Sequence, residues 1–119
     1  MYLRHLALPV ADQQRSREFY ETYLGFGASP ARQYPDGVLF VYDAAGFHLA
    51  FGPATGPPPH LPEFLHHGFA CADADEVRRL KARLLADGVP IVEDDDEEGY
   101  VAFKCLDPDG YRVEVYWEP

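Results

Sequence analysis

The sequence predicts an α+β fold made of two βαβββ modules, and three observations support that prediction. Turn residues divide the chain into short segments, most clearly Pro35-Asp36-Gly37 and Pro108-Asp109-Gly110. A proline-rich run at residues 53–59 separates two halves of similar length. Each half then shows the same order of patterns, namely a short apolar strand, an amphipathic helix and three further strands.

Each half opens with an alternating strand, at residues 3–10 and 65–72, and an aspartate follows it. Asp12 and Asp73 are each placed to cap a helix, in the stretches QQRSREFYETYL and ADEVRRLKARLLAD. Glu76, three residues after Asp73, is the partner that a capping box requires. The sequence therefore predicts one amphipathic helix in each half.

Three strands follow each helix, and the acidic run at residues 94–98 is expected to be a solvated loop between two of them. The predicted strands are 28–34, 38–43 and 46–52 in the first half, and 89–93, 99–106 and 111–117 in the second. The expected organisation is a single domain over 1–119, with module 1 at 1–52, a linker at 53–64 and module 2 at 65–119. A four-stranded sheet with one helix leaves its other face bare, so the modules should pair with each other or with a second chain.

Composition and charge narrow the classes of function. The 119 residues are 47% hydrophobic and 25% charged, which is typical of one compact domain with a core. No apolar run is long enough for a membrane span, and the first residues lack the pattern of a signal peptide. The formal net charge of −10 argues against nucleic acid or anionic membranes as partners. Cys71 and Cys105 show no CxxC spacing, which favours a reduced, cytoplasmic protein.

The face of each sheet opposite its helix is where the sequence places candidate metal ligands. Bulky apolar residues of the last strands belong under the helices, because helix packing supplies the dry side of a sheet. This leaves His5 and His48 in the first half, and His67 and Glu114 in the second, on the opposite faces. If the first and last strands of a half are neighbours, they lie about 4.8 Å apart. Three imidazoles and one carboxylate suit Zn, Ni, Fe, Co or Mn as divalent ions.

Two further positions bear on this prediction. His66 has the opposite parity to His67 and is expected to face the helix side or solvent. Lys104 is a candidate for holding a substrate carboxylate or phosphate, provided that its face of the sheet carries the site. Its expected substrate-binding neighbours are Phe69, Arg112 and Tyr116.

The whole chain resembles the vicinal oxygen chelate superfamily, which contains glyoxalase I, fosfomycin-resistance thiol transferases, extradiol dioxygenases and bleomycin-binding proteins. The resemblance lies in the segments LRHLALPVADQQRSREFYETYLGF, GFHLAF, HHGFACADADEVRRLKARLLADGV and FKCLDPDGYRVEVY. It implies paired modules that curl into a cup around a metal ion, commonly in a homodimer. By position, His5, His67 and Glu114 match the most widely shared ligands. His48 matches a fourth, which is often Glu or Gln.

The resemblance implies a glyoxalase-like metal-dependent enzyme with isomerase, lyase or transferase chemistry. Its substrate would be a small molecule that chelates the metal through vicinal oxygens. The ion would stabilise negative charge on oxygen while a neighbouring base removes a proton. Glu114 and His48 are both candidates for that base, and neither can be a firm ligand and a free base at once.

Two other functions within the superfamily are alternatives. A non-catalytic, bleomycin-resistance-type protein would sequester cationic compounds, which the charge of −10 would attract. Such proteins generally lack the ligands that this chain retains. An extradiol-type Fe(II) dioxygenase would use His5, His67 and Glu114 as ligands. Dioxygenases and fosfomycin-type transferases both favour a tyrosine where this chain has Lys104, and dioxygenases carry a further histidine near the position of Asp95.

Overall fold

The computed structural model describes residues 1–57 and 60–119, and the chain divides into two compact units with the boundary at residues 59–60. Pro58 and Pro59, part of the predicted linker, lie outside the described residues. Each unit contains one four-stranded sheet and one helix in the order βαβββ. The predicted α+β class and the two modules are therefore confirmed.

The sheet of the first unit has the strand order β1-β4-β3-β2. Its elements are β1 His5–Val10, α1 Gln13–Tyr23, β2 Ser29–Gln33, β3 Leu39–Tyr42 and β4 His48–Pro53. Strands β1 and β4 run parallel, and the other two pairs are antiparallel. Pro53, which the sequence assigns to the linker, is the last residue of β4. The first and last strands of this module are neighbours, as the ligand prediction requires.

The second unit repeats this arrangement, with the strand order β5-β8-β7-β6. Its elements are β5 His66–Ala70, α2 Ala74–Ala86, β6 Ile91–Glu97, β7 Tyr100–Leu106 and β8 Arg112–Trp117. Strands β5 and β8 are the parallel pair. Here too the first and last strands of the module lie side by side.

Both helices begin at the predicted caps. The Asp12 carboxylate accepts hydrogen bonds from the backbone N–H groups of Gln14 and Arg15, both at 3.1 Å. The Asp73 carboxylate accepts from the N–H of Glu76 at 2.7 Å. Each bond satisfies a donor that the first turn of a helix leaves unpaired. Neither helix of the described chain is long and apolar enough to cross a membrane.

Each unit buries an apolar core between its helix and one face of its sheet, as the alternation predicts. In the first unit the buried side chains are Leu8, Val10, Phe19, Tyr20, Leu39, Val41, Leu49 and Phe51. In the second they are Val77, Leu84, Val101, Phe103, Cys105, Val113 and Val115. The opposite face of each sheet, called the far face below, is therefore left to polar and aromatic side chains.

The acidic run is not a loop, which corrects the prediction for residues 94–98. Strand β6 extends through Asp94 and Asp96 to Glu97. Arg78 of α2 donates two hydrogen bonds to the Asp96 carboxylate, at 2.8 and 2.9 Å, and Lys81 forms an ion pair with Asp94. The helix therefore neutralises alternate carboxylates of this edge strand, which a pattern of local composition does not reveal.

Candidate functional site

The far face of the first sheet carries His5 and His48 side by side. The two residues are direct partners in the parallel ladder between β1 and β4. Their rings are stacked, with centroids 5.2 Å apart and planes 14° apart. The predicted pairing of these two imidazoles is therefore present in the structure.

Aromatic rings hold the imidazole of His48 on its other side. The Phe40 ring stacks on it with centroids 4.9 Å apart, and the Tyr42 ring lies 5.5 Å away. Both belong to β3, the strand next to β4. Burial and a hydrogen bond with Tyr34 raise the pKa of Tyr42 above its ordinary value, so its hydroxyl is protonated at neutral pH. The imidazole of His48 is thus held in a neutral aromatic setting.

The far face of the second sheet is organised around the carboxylate of Glu114. Its Oε1 accepts a hydrogen bond from the Tyr100 hydroxyl at 3.2 Å, and its Oε2 lies 3.3 Å from His66 Nε2. A side chain on Gly68, the ladder partner of Glu114, would meet Oε2 at 3.4 Å. This is an ordinary van der Waals distance, so Gly68 lies directly against the carboxylate.

The tautomer of His66 follows from its second contact. His66 Nδ1 lies 2.7 Å from the carbonyl oxygen of Phe64. A carbonyl oxygen can only accept, so Nδ1 carries a proton and donates it. In a neutral imidazole, Nε2 then presents a lone pair to Glu114 Oε2, which is also an acceptor when ionised. Two such atoms at 3.3 Å require a cation between them, either a proton or a metal ion.

This pair of donors fits a divalent metal ion. Metal–nitrogen and metal–oxygen bonds are about 2.0–2.2 Å long, so two donors at right angles on one ion lie about 3 Å apart. The observed separation of 3.3 Å is close to that value. No group of three or more His, Cys, Asp or Glu side chains in the described part of the chain is arranged to hold a metal. Each unit by itself thus offers two candidate ligands.

The structure moves one predicted ligand to the other side of its sheet. His67 pairs with Val113 in the ladder, whereas Glu114 pairs with Gly68, so His67 and Glu114 lie on opposite faces. The expectation that they share a face is wrong, and so is the expectation that His66 faces the helix or solvent. The sequence contained the signal for the correct parity. Phe69, the bulky apolar residue of this strand, belongs on the helix side, and His67 shares its parity.

The predicted substrate-binding residues divide in the same way. Lys104, Arg112 and Tyr116 share the far face with Glu114, as expected. Phe69 does not, because it pairs with Val115 on the helix side, where its ring lies 5.9 Å from that of His67. Its predicted place beside Lys104 is therefore wrong. Tyr100, which contacts Glu114 directly, was missed because it lies at the start of its strand, after a turn.

Burial of the His67 imidazole makes the stability of the folded protein depend on pH in the acid range. Desolvation, reinforced by the nearby His66, lowers the pKa of His67 from 6.5 to about 4. The unfolded chain takes up a proton at this position as the pH falls below 6.5, and the folded chain does so only near 4. We therefore expect the free energy of unfolding of metal-free protein to fall by about 2 to 3 kcal/mol between these two pH values.

Chemical denaturation at a series of pH values measures this loss. His67→Leu should remove most of the slope between pH 6.5 and 4, whereas His60→Leu, at an exposed position, should leave it unchanged. Parallel pH curves for wild-type protein and His67→Leu would show that His67 does not resist protonation in the folded state.

A family model decides the evolutionary relationship. The model described as the Glyoxalase/Bleomycin resistance protein/Dioxygenase superfamily matches residues 2–115. The chain belongs to this superfamily. Membership confirms the resemblance read from the sequence and supports metal-dependent chemistry on a small molecule as the general function.

Individual members of the superfamily are similar over nearly the whole chain. A glutathione transferase FosA of Serratia marcescens is 31% identical, and the match covers 96% of this chain and 79% of the relative. The structure of a possible glyoxalase from Bacillus cereus is 30% identical with a TM-score of 0.78, and the match covers 97% of both chains. A trypanothione-dependent glyoxalase I of Leishmania major is 27% identical with a TM-score of 0.74, covering 97% of this chain and 85% of that one. These relatives include enzymes of two reaction classes.

Proposed function

We propose that this protein is a metal-dependent enzyme that acts on a small substrate through two vicinal oxygen atoms, with isomerase, lyase or transferase chemistry. Within the second unit the proposed metal ligands are His66 and Glu114, and the superfamily resemblance implies His5 as a further ligand and His48 as the base. Two imidazoles and one carboxylate form a set that suits divalent Mn, Fe, Co, Ni or Zn and leaves coordination positions for a substrate. His67 is left out of the set because it lies on the helix side of its sheet.

One observation supports this proposal above the others. His66 Nε2 lies 3.3 Å from Glu114 Oε2, a separation that suits a cation shared between the two atoms, while His66 Nδ1 is bonded to the Phe64 carbonyl. Metal-binding histidines commonly donate their other ring N–H to a carbonyl or carboxylate, which fixes the tautomer. The bond from His66 Nδ1 to the Phe64 carbonyl serves this purpose. The Tyr100 hydroxyl plays the equivalent part for Glu114.

Chemistry at such a site needs stabilised negative charge and a base. A divalent ion held by these ligands would supply the first as a Lewis acid toward two substrate oxygens. The base accepts the proton from the adjacent carbon or from a thiol. His48 suits this role because Phe40 and His5 fix its ring on both faces. Glu114 is less suitable, because both of its oxygens already have partners.

Metal titration of two neighbouring histidine variants tests the ligand assignment. We expect wild-type protein, purified without a histidine tag and stripped with a chelator, to bind divalent Mn, Fe, Co, Ni or Zn at one ion per chain, with Fe titrated anaerobically. His66→Ala should weaken binding at least about a hundredfold, because losing a ligand costs more than losing its supporting contacts. His67→Ala is the matched control and should bind as the wild type does.

Two results would contradict the assignment. Equal metal affinity of His66→Ala and wild type would leave the His66–Glu114 contact as a protonated ion pair. Failure of the wild type to bind any of the five metals would reject the metalloenzyme and favour the non-catalytic binding protein. On metal-loaded wild-type protein, activity is measured as glutathione transfer and as glyoxalase I activity, the reaction types that the names of two relatives suggest.

A further inference from the structure

A buried ammonium lies on the same far face as Glu114. Lys104, in β7, is only 8% exposed, although lysine side chains are almost never buried without a partner. Its Nζ lies 2.8 Å from Oε2 of Glu93, in the edge strand β6. The Glu93 side chain is itself 54% exposed. The ion pair thus joins a buried cation to an anion that is largely in water.

Lys104 lies next to the proposed metal ligand but is not paired with it. Lys104 and Glu114 are direct partners in the antiparallel ladder, so their side chains stand side by side. Glu114, however, has Tyr100 and His66 on its two oxygens. The ammonium therefore turns to Glu93 and lies beside the carboxylate at which the proposed chemistry occurs.

We propose that Lys104 binds an oxyanion group of the substrate, either a carboxylate or a phosphate or phosphonate, and that Glu93 is a displaceable counter-ion which occupies that site in the free protein. This inference builds on the proposed function, because it places a charged part of the substrate beside Glu114. Binding of the oxyanion itself does not require the metal.

A substrate oxyanion can replace Glu93 at Lys104 because the ammonium of this ion pair is buried while the carboxylate is exposed. An ammonium has three N–H donors, and a buried one needs an anion or other acceptors at all times. Glu93 can leave at a small cost because its exposed carboxylate becomes hydrated again when the contact breaks. An incoming oxyanion then replaces it at Lys104, so the ammonium does not remain unpaired.

The charges around Glu93 match those that an oxyanion would meet. The hydrogen bond and the positive charge of Lys104 lower the pKa of Glu93, and the charge of Arg112 adds to this effect. The carboxylate of Glu93 therefore stays ionised at neutral pH and lies in the field of these basic groups. A substrate oxyanion would be stabilised by the same groups, with Glu93 as its competitor.

Two variants should change oxyanion binding in opposite directions, and a third should leave it nearly unchanged. Glu93→Gln removes the competing charge, so we expect it to tighten oxyanion binding about tenfold. Lys104→Met removes the binding group and should abolish that binding. Asp95→Asn is the matched control, because Asp95 lies two residues from Glu93 on the same face and pairs with Ala102. It changes the net charge equally and should have less than a twofold effect.

Isothermal titration calorimetry on metal-stripped protein measures these affinities, with inorganic phosphate and malonate as probes. One of the two probes should bind more tightly to Glu93→Gln and should not bind to Lys104→Met. That probe identifies the class of oxyanion. Equal gains in Glu93→Gln and Asp95→Asn would show a general charge effect and overturn the proposal. The proposal would also be overturned if neither phosphate nor malonate bound more tightly to Glu93→Gln than to wild-type protein.

Two controls separate this result from folding and from the metal proposal. Circular dichroism checks the fold of Lys104→Met, and the gain in Glu93→Gln decides the matter by itself if that variant fails to fold. Because the measurement uses no metal, a protein that binds no metal but shows the Glu93 effect would reject the proposed enzyme and keep the oxyanion site. A protein that binds the metal but shows no Glu93 effect would keep the proposed enzyme and reject the oxyanion site.

Discussion

Glu114→Gln should lower kcat/KM about a thousandfold or more in whichever reaction the metal-loaded wild type performs. The substitution keeps the shape of the side chain and an oxygen that can accept from the Tyr100 hydroxyl. It removes the negative charge that the proposed ion needs beside His66. Loss of a charged ligand weakens the stabilisation of negative charge in the transition state, the term that is usually largest in such sites.

Steady-state kinetics with saturating metal distinguishes lost chemistry from lost metal. We expect kcat to remain low even when added metal restores occupancy, because an amide is a weaker donor than a carboxylate. Glu118→Gln provides the control, since Glu118 is exposed near the end of the chain and carries the same charge. Near-wild-type kcat/KM in Glu114→Gln would remove Glu114 from the proposed ligands.

Local patterns were sufficient to predict most of the fold. The two aspartate caps, the turns and the alternation of apolar residues define both modules, because each depends on residues close together in sequence. The pairing of His5 with His48 was also predictable. Alternation in β4 places Leu49 on the helix side and His48 on the far face, and the repeat makes β1 its neighbour.

The second half of the site was harder to predict because two histidines are adjacent in the chain. A shift of one residue moves every side chain of a strand to the other face, so choosing His67 rather than His66 reversed the assignment of β5. The bond from His66 to the Phe64 carbonyl and the contact of Tyr100 with Glu114 depend on backbone geometry around turns. Alternation within strands contains no information about either contact.

The acidic residues of β6 show a second reason why local patterns in the sequence do not predict the whole fold. Six consecutive Asp and Glu residues, 93–98, favour a solvated loop by composition. In the structure, however, α2 neutralises Asp94 and Asp96 on one face, and Lys104 pairs with Glu93 on the other. Long-range ion pairs of this kind outweigh weak local preferences. The same alternation that brings Asp96 to Arg78 delivers Glu93 to Lys104, and so produces the proposed oxyanion site.

Phe51→Ala should cost about 3 to 5 kcal/mol of folding free energy, the largest effect we expect on stability. The Phe51 side chain is fully buried in β4, where its ladder partners are Leu8 and Leu39. Its ring lies 5.7 Å from that of Tyr20 in α1, so it joins the helix to three strands. Truncation would leave a cavity on the helix side of the strand that presents His48 on its far face.

Urea denaturation followed by far-UV circular dichroism measures this cost, with Phe64→Ala as the control. Phe64 is 84% exposed, so its removal should change the free energy of unfolding by less than about 0.5 kcal/mol. Trp117, the single tryptophan, lies in the second unit, and its fluorescence shows whether that unit unfolds together with the first. A loss below about 1 kcal/mol in Phe51→Ala would mean that the first unit repacks around the cavity. The position of His48 would then not depend on this core.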